Sequence, residues 1–352
     1  GAAVAAALVA GLPQLGPPWL PMLAFLLLWG LYMSIVNVGQ TFYGFGWETL
    51  LLEAGFLAAF LGSNEIAPPV TVLWLFLWLT FRLEFGAGMI KIRGDRVWRD
   101  LTALYYHHET QPMPNPASRY FHHLPKPLHK AEVIGNHFAQ LVVPFFLFFP
   151  QPVGSIAAAI IIVTQLWLVI SGNFAWLNWL TILAAAAALS DDAISAVLPG
   201  SPELTPDYAP TPIWFAVVVL AMTALMVYLS YWPARNLVSK RQLMNTSFNR
   251  WHLANAYGAF GSITRERYEI IVEGSADGVS WQEYEFRGKP GDPGRMPRQF
   301  APYHLRLDWL MWFLALGAPG DSWFIPFLRR LLAADRATLK LLRIDPFDGE
   351  PP

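Results

Sequence analysis

The chain has 352 residues, 55% hydrophobic and 14% charged, with a net charge of −1, sixteen tryptophans and no cysteine. Soluble domains carry about 25% charged residues, so this composition belongs to a membrane protein, and the tryptophans suit many membrane–water boundaries. Disulfides, thiolate nucleophiles and thiolate metal sites are excluded, and no basic domain points to nucleic acid.

The chain begins at Gly1, without methionine. Residues 2–12 are apolar but lack the basic start of a signal peptide, and read as an incomplete first segment. A span needs about twenty apolar residues. Residues 19–38 qualify, opened by Pro17-Pro18 and closed by Asn37 and Gly39. Residues 49–61 form a shorter run beside Glu48 and Glu53, expected as a helix shielded from lipid. Pro68-Pro69 then open a span over residues 70–92, followed by spans at 131–149, 153–170 and a short one at 176–189. An acidic, proline-rich loop over 191–212 precedes a last span at 213–231. The expected architecture is a membrane α-helical bundle of six to seven spans, with no internal repeat.

Beyond Trp232-Pro233 the composition turns polar. Residues 268–273 (YEIIVE) and 280–286 (SWQEYEF) read as strands around an Asp277-Gly278 turn. The predicted organisation is a membrane domain over 1–244 with a polar, histidine-rich loop at 93–130, a small β domain over 245–300, and interfacial and amphipathic helices over 301–352. One such helix is expected over 323–343, with leucines on one face and Arg329, Arg330, Arg336, Lys340 and Arg343 on the other.

Residues 81–116 carry the chemistry. Ionisable groups inside a span cost about 2.5 kcal/mol or more each, so they face protein or a water-filled cavity. Glu84 and Lys91 lie seven residues apart and share a helix face, while Arg82 points the other way. Lys91, Glu84 and Glu53 are therefore the candidates for a catalytic group, with Lys91 the basic residue expected to meet the glutamates of neighbouring helices. Six of the eight histidines fall between His107 and His137. Adjacent histidines point apart and no HExxH spacing occurs, so no metal and no cofactor is expected. No GxSxG elbow or phosphate-binding glycine loop is present, and the balance leans away from an enzyme.

The second unusual stretch, residues 245–261, joins Arg250, Trp251, His252 and Asn255 to a glycine–aromatic run that begins at Tyr257. Together the two stretches supply the candidate client- or ligand-binding set. From the first come Trp98, Asp100, Tyr106, His107, His108, Glu109, Gln111 and Asn115. From the second come Arg250, Trp251, His252, Asn255 and Tyr257. Residues 86–127 and 245–300 are expected to touch.

Three strings, DRVWRDLTALYYHHETQPMPNP, NRWHLANAYGAFGSITRERYEIIVEGS and PYHLRLDWLMWF, resemble the lipase maturation factor family, in order over residues 43–347. That resemblance implies a multi-pass membrane protein of the endoplasmic reticulum, a chaperone-like factor that helps secreted lipases fold and assemble into active dimers. Its implied partners are membrane lipid and a lipase-like secreted client. The alanine-rich spans and lack of cysteine fit a bacterial relative, for which the cell membrane would be the location. A second resemblance covers one helix: FGAGMIK at residues 85–91 is similar to a motif of the vitamin K-dependent carboxylase group, which implies the alternative of a membrane enzyme with Lys91 as base. Charge bias places residues 91–130 and the C-terminal part in the cytoplasm. The family resemblance places them on the lumenal or exoplasmic side, and that side is the one expected.

Overall fold

The computed structural model describes residues 1–197 and 208–352; residues 198–207 of the acidic loop lie outside it. The described residues are mostly helical. Four helices have the length and apolarity of a membrane span: Leu20–Tyr43, Val70–Arg93, Val153–Ser171 and Ile213–Val238. The other segments counted from the sequence are shorter or more polar. Lys126–Leu141 carries histidine, lysine and glutamate along its length, and Val143–Phe146 follows it with Pro144 in its first turn. Leu177–Ala188 is apolar but shorter than a span.

The chain divides into two compact units. The first comprises Gly1–Leu101, Lys130–Trp167 and Leu177–Ser262. Its centre is the helix Val70–Arg93, whose apolar window is 61% buried, against 11%, 33% and 22% for the other three candidate spans. Pro69 precedes its first turn and Gly94 ends it. One face packs Val72, Leu75, Leu79 and Leu83 against Leu50 and Leu57 of Gly46–Ala58 and against Phe215, Val219, Met222 and Met226 of Ile213–Leu229. A helix enclosed by protein on several sides is where ionisable residues are tolerated in a span, because partners replace lipid. Residues 245–262 belong to this unit.

The second unit comprises Thr102–His129, Leu168–Trp176 and Ile263–Pro352. Its two-stranded antiparallel sheet pairs Glu273 with Glu283 and Gly274 with Gln282. The turn forms as predicted: Asp277 accepts from the N–H groups of Val279 and Ser280 at 2.8 and 2.7 Å, and Gly278 takes a positive φ of 73°. Ladder pairing is shorter than the expected strands, although Tyr284 N–H still donates to Val272 O at 2.9 Å. Val272, Tyr284 and Phe286 are buried with Phe327, Leu331 and Leu342. The helix expected over 323–343 is two helices, Phe324–Leu332 and Arg336–Leu339. The break sits at Ala334, with φ 47°, and Asp335 caps the second helix by accepting from Thr338 N–H at 2.9 Å.

Candidate functional site

Arg82 and Glu53 form a fully buried ion pair in the first unit. Glu53 Oε2 also accepts from the backbone N–H of Asn255 at 3.0 Å, from Asn255 Nδ2 at 3.1 Å and from the Tyr257 hydroxyl at 2.8 Å. Arg82 Nη1 donates to Asn255 O at 2.6 Å, and its guanidinium stands 5.4 Å from the Trp78 ring centroid and 5.8 Å from that of Tyr257. Each charge is therefore met by an opposite charge and by further hydrogen bonds, the condition under which a desolvated pair is tolerated. The central helix thus holds residues 245–261 by a charged clamp. Gly86 completes the fit, since a Cβ there would lie 2.6 Å from Tyr257 O. The loop bends through positive φ at His252 (53°) and Ala254 (51°) to bring Asn255 to the clamp.

On the opposite face of the helix, Lys91 Nζ donates to Gln140 Oε1 at 2.8 Å and Asn136 Oδ1 at 3.4 Å, and sits 4.9 Å from the Trp98 ring centroid. Glu84 accepts from Gln165 Nε2 at 2.5 Å, and Gln165 Oε1 accepts from Asn178 Nδ2 at 2.7 Å. Gln140 stands beside both the lysine and the glutamate. Glu48 accepts from the Tyr32 hydroxyl. The three proposed catalytic residues are thus divided: Glu84 and Lys91 share one face, while the counter-ion of Glu53 is Arg82 rather than Lys91. The helical period explains the division, because positions 82 and 84 diverge by about 200°.

Polar side chains in the second unit hold the loop after Leu104–Thr110. Gln111 Nε2 donates to His108 O at 3.0 Å, Ser118 Oγ at 2.8 Å and Ser171 O at 3.2 Å. Asn115 Nδ2 donates to Ile170 O at 2.6 Å and Gln299 Oε1 at 3.1 Å. Arg267 Nη1 donates to the carbonyls of Glu109 (3.0 Å) and Gln111 (2.5 Å), its Nη2 donates to Pro112 O at 3.1 Å, and it pairs with Glu269 at 2.6 Å. Residues 102–127 and 263–300 therefore touch within this unit. Residues 86–101 and 245–262 touch within the first, where Asp95 N–H donates to Gly261 O and Trp98 Nε1 to Phe260 O, both at 2.8 Å.

His108 is buried, stacked on Phe121 with ring centroids 5.5 Å apart and 5.8 Å from the ring of His129. Desolvation, reinforced by repulsion from His107, His129 and His122, lowers its pKa to about 3. The unfolded chain binds that proton near pH 6.5, so unfolding takes up a proton between pH 6.5 and 3 and stability falls as pH falls through that window. At pH 5 the penalty is about 2 kcal/mol. A melting series from pH 7.5 to 5 should show this loss, and His108→Asn should flatten it; an unchanged slope in the variant would remove the assignment to His108.

Burial sorts the candidate binding residues. Trp98, His108, Gln111, Asn115, Asn255 and Tyr257 are buried. Tyr106, His107 and His252 are half-buried. Asp100, Glu109, Arg250 and Trp251 are exposed, with Asp100 paired to Arg96 at 3.1 Å and Glu109 to His122 at 3.4 Å. Trp251 is 53% exposed and stacks on Trp29 at 6.2 Å between ring centroids. Sequence reasoning missed Gln140, Gln165 and Arg267. Gln165 had a signal, a lone amide inside an apolar span; Arg267 had none in its polar surroundings.

Fold and site together define a multi-pass membrane protein whose central span is locked by buried charge to a looped polar segment. The chain belongs to the lipase maturation factor family. The model of the lipase maturation factor transmembrane domain matches residues 1–196, and that of the lipase maturation factor C-terminal domain matches residues 253–352. Lipase maturation factor 1 of Homo sapiens is 46% identical over 361 residues, covering 94% of this chain and 64% of the relative. Its counterpart in Mus musculus is 43% identical over 94% of this chain and 63% of the relative. Lipase maturation factor 2 of Homo sapiens is 29% identical over 93% of this chain and 64% of the relative. The chain thus spans a little under two thirds of the length of these relatives. No solved structure matches. These comparisons lend no support to the one-helix likeness to the carboxylase group or to a bacterial cell membrane as the location.

Proposed function

We propose that this chain is a lipase maturation factor-like membrane protein that assists the folding and assembly of secreted, lipase-like clients. The observation that carries the reading is family membership over both the transmembrane and the C-terminal parts. The buried charges support it as well. Each ionisable group of the central helix already has a partner that fixes the fold, which suits a scaffold for protein binding. Exposed Asp100, Glu109, Arg250 and Trp251 are the members of the candidate set that a client reaches without unfolding the chain.

In the same reading the protein resides in the endoplasmic reticulum membrane with residues 93–130 and the C-terminal part on the lumenal side, where secreted clients fold. Its membrane-embedded segments number six to seven, Gly46–Ala58 and Leu177–Ala188 among them. Co-expression with a secreted lipase, in cells whose own maturation factor has been deleted, tests the function. Active lipase should appear in the medium, and inactive lipase retained in the cell despite well-folded chain would overturn the proposal.

A further inference from the structure

At the end of the central helix, residues 239–244 fold back beside the helix terminus. Gln242 fixes the turn by donating to Gly86 O at 3.0 Å and accepting from Arg93 Nη1 at 2.7 Å, while Arg93 Nη1 also donates to Leu237 O at 2.9 Å. Asn236 closes it from the other side, exchanging hydrogen bonds of 2.7 and 2.8 Å with the backbone of Leu243. The result is an open groove of about 530 Å³ lined by Arg93, Gly94, Asp95, Lys240, Arg241 and Met244, among others.

Three cations and one carboxylate line this groove, and the carboxylate of Asp95 already accepts from Val97 N–H at 3.2 Å. Among the described residues, neither the Lys240 ammonium nor the Arg241 guanidinium has an ion-pair or hydrogen-bond partner, and both are exposed. The groove lies where two candidate spans end, Val70–Arg93 and Ile213–Val238. Exposed apolar side chains, Val238, Leu243 and Met244, flank the two basic residues in sequence.

From this juxtaposition we infer that the groove binds the headgroup of an anionic phospholipid. Lys240 and Arg241 meet the phosphate, and Val238, Leu243 and Met244 meet the upper acyl chain. Basic residues at the end of a span attract anionic headgroups, and a guanidinium matches phosphate oxygens in shape as well as charge. The apolar flank distinguishes a lipid from a free phosphate, which has no use for it. This site is separate from the proposed client role and stands whether or not that role holds.

The test uses the full chain in micelles doped with phosphatidylglycerol or with phosphatidylcholine, read by native mass spectrometry of retained lipid. Phosphatidylglycerol should be retained in preference, and inorganic phosphate should fail to displace it. Lys240→Ala/Arg241→Ala should weaken retention roughly thirtyfold, two charges' worth of attraction, with the melting temperature unchanged. Lys240→Arg/Arg241→Lys should keep it. Because both side chains are exposed, loss of folding is not expected; as a check independent of variants, retention by the parent chain should fall as salt rises. Equal retention of the two lipids, full displacement by inorganic phosphate, or undiminished binding in the alanine variant would each overturn the inference.

Discussion

Arg82→Met is expected to cost about 3–5 kcal/mol, the range for breaking a buried ion pair from one side, and to leave little extractable folded protein. The reason is the state of Glu53 after the change. Its carboxylate stays fully buried, and hydrogen bonds from Asn255 and Tyr257 do not replace the lost charge. Because Asn255 O also loses its donor from Arg82, the loop over residues 245–261 should detach with the pair. Replacing both partners, as Arg82→Met/Glu53→Leu, should recover only part of the loss, since the stranded charge is gone but Asn255 and the Tyr257 hydroxyl lose their buried acceptor. Lys91→Met should cost less than Arg82→Met. The partners of Lys91 are neutral amides and an indole, and Glu84 keeps its bond from Gln165. Yield after detergent extraction and melting temperature measure all three variants. An Arg82→Met protein that melts like its parent would sink the clamp.

Arg267→Met is expected to cost about 3 kcal/mol, confined to the second unit. One guanidinium satisfies three consecutive-region carbonyls, Glu109, Gln111 and Pro112, and pairs with Glu269. Buried acceptors left without donors cost about 1–3 kcal/mol each, and the exposed edge of the loop at Glu109 admits water to part of them. Glu269 retains Lys289 at 3.0 Å, so its charge is not stranded. Arg267→Lys should not rescue, because an ammonium lacks the planar fork that spans these acceptors. Hydrogen exchange should show faster opening over residues 104–116 with residues 70–93 unaffected. Equal protection of the loop in parent and variant would show that Arg267 is not what holds it.

The long apolar runs of the chain were legible because span length is a property of composition, and Val70–Arg93 emerges within a residue of its predicted bounds. Residues 131–149 read as one span because Phe145 to Phe149 raise the hydrophobicity of its second half, whereas the polar helix Lys126–Leu141 ends before them and Pro144 opens a separate short helix, Val143–Phe146. The importance of Arg82 was hidden for a different reason. Its partners lie 29 and 173 residues away, and a loop bending through left-handed backbone at two non-glycine residues leaves no local pattern. Periodicity placed Glu84 with Lys91 correctly, since both positions belong to one helix. It had no means of assigning Glu53, whose helix orientation is set by packing. The Asp277-Gly278 turn was readable from two residues, whereas Ala334 gave no sign of the break it makes between the last two helices.

The measurement that bears most directly on the proposed role is the specific activity of a secreted lipase, activity per mole of lipase protein in the medium, from cells lacking their own maturation factor. Expression of this chain should raise that ratio and the share of assembled lipase, and Arg82→Met, which removes the folded scaffold, should abolish the gain. A lipase whose specific activity and assembly are unchanged by well-folded parent chain would contradict the account.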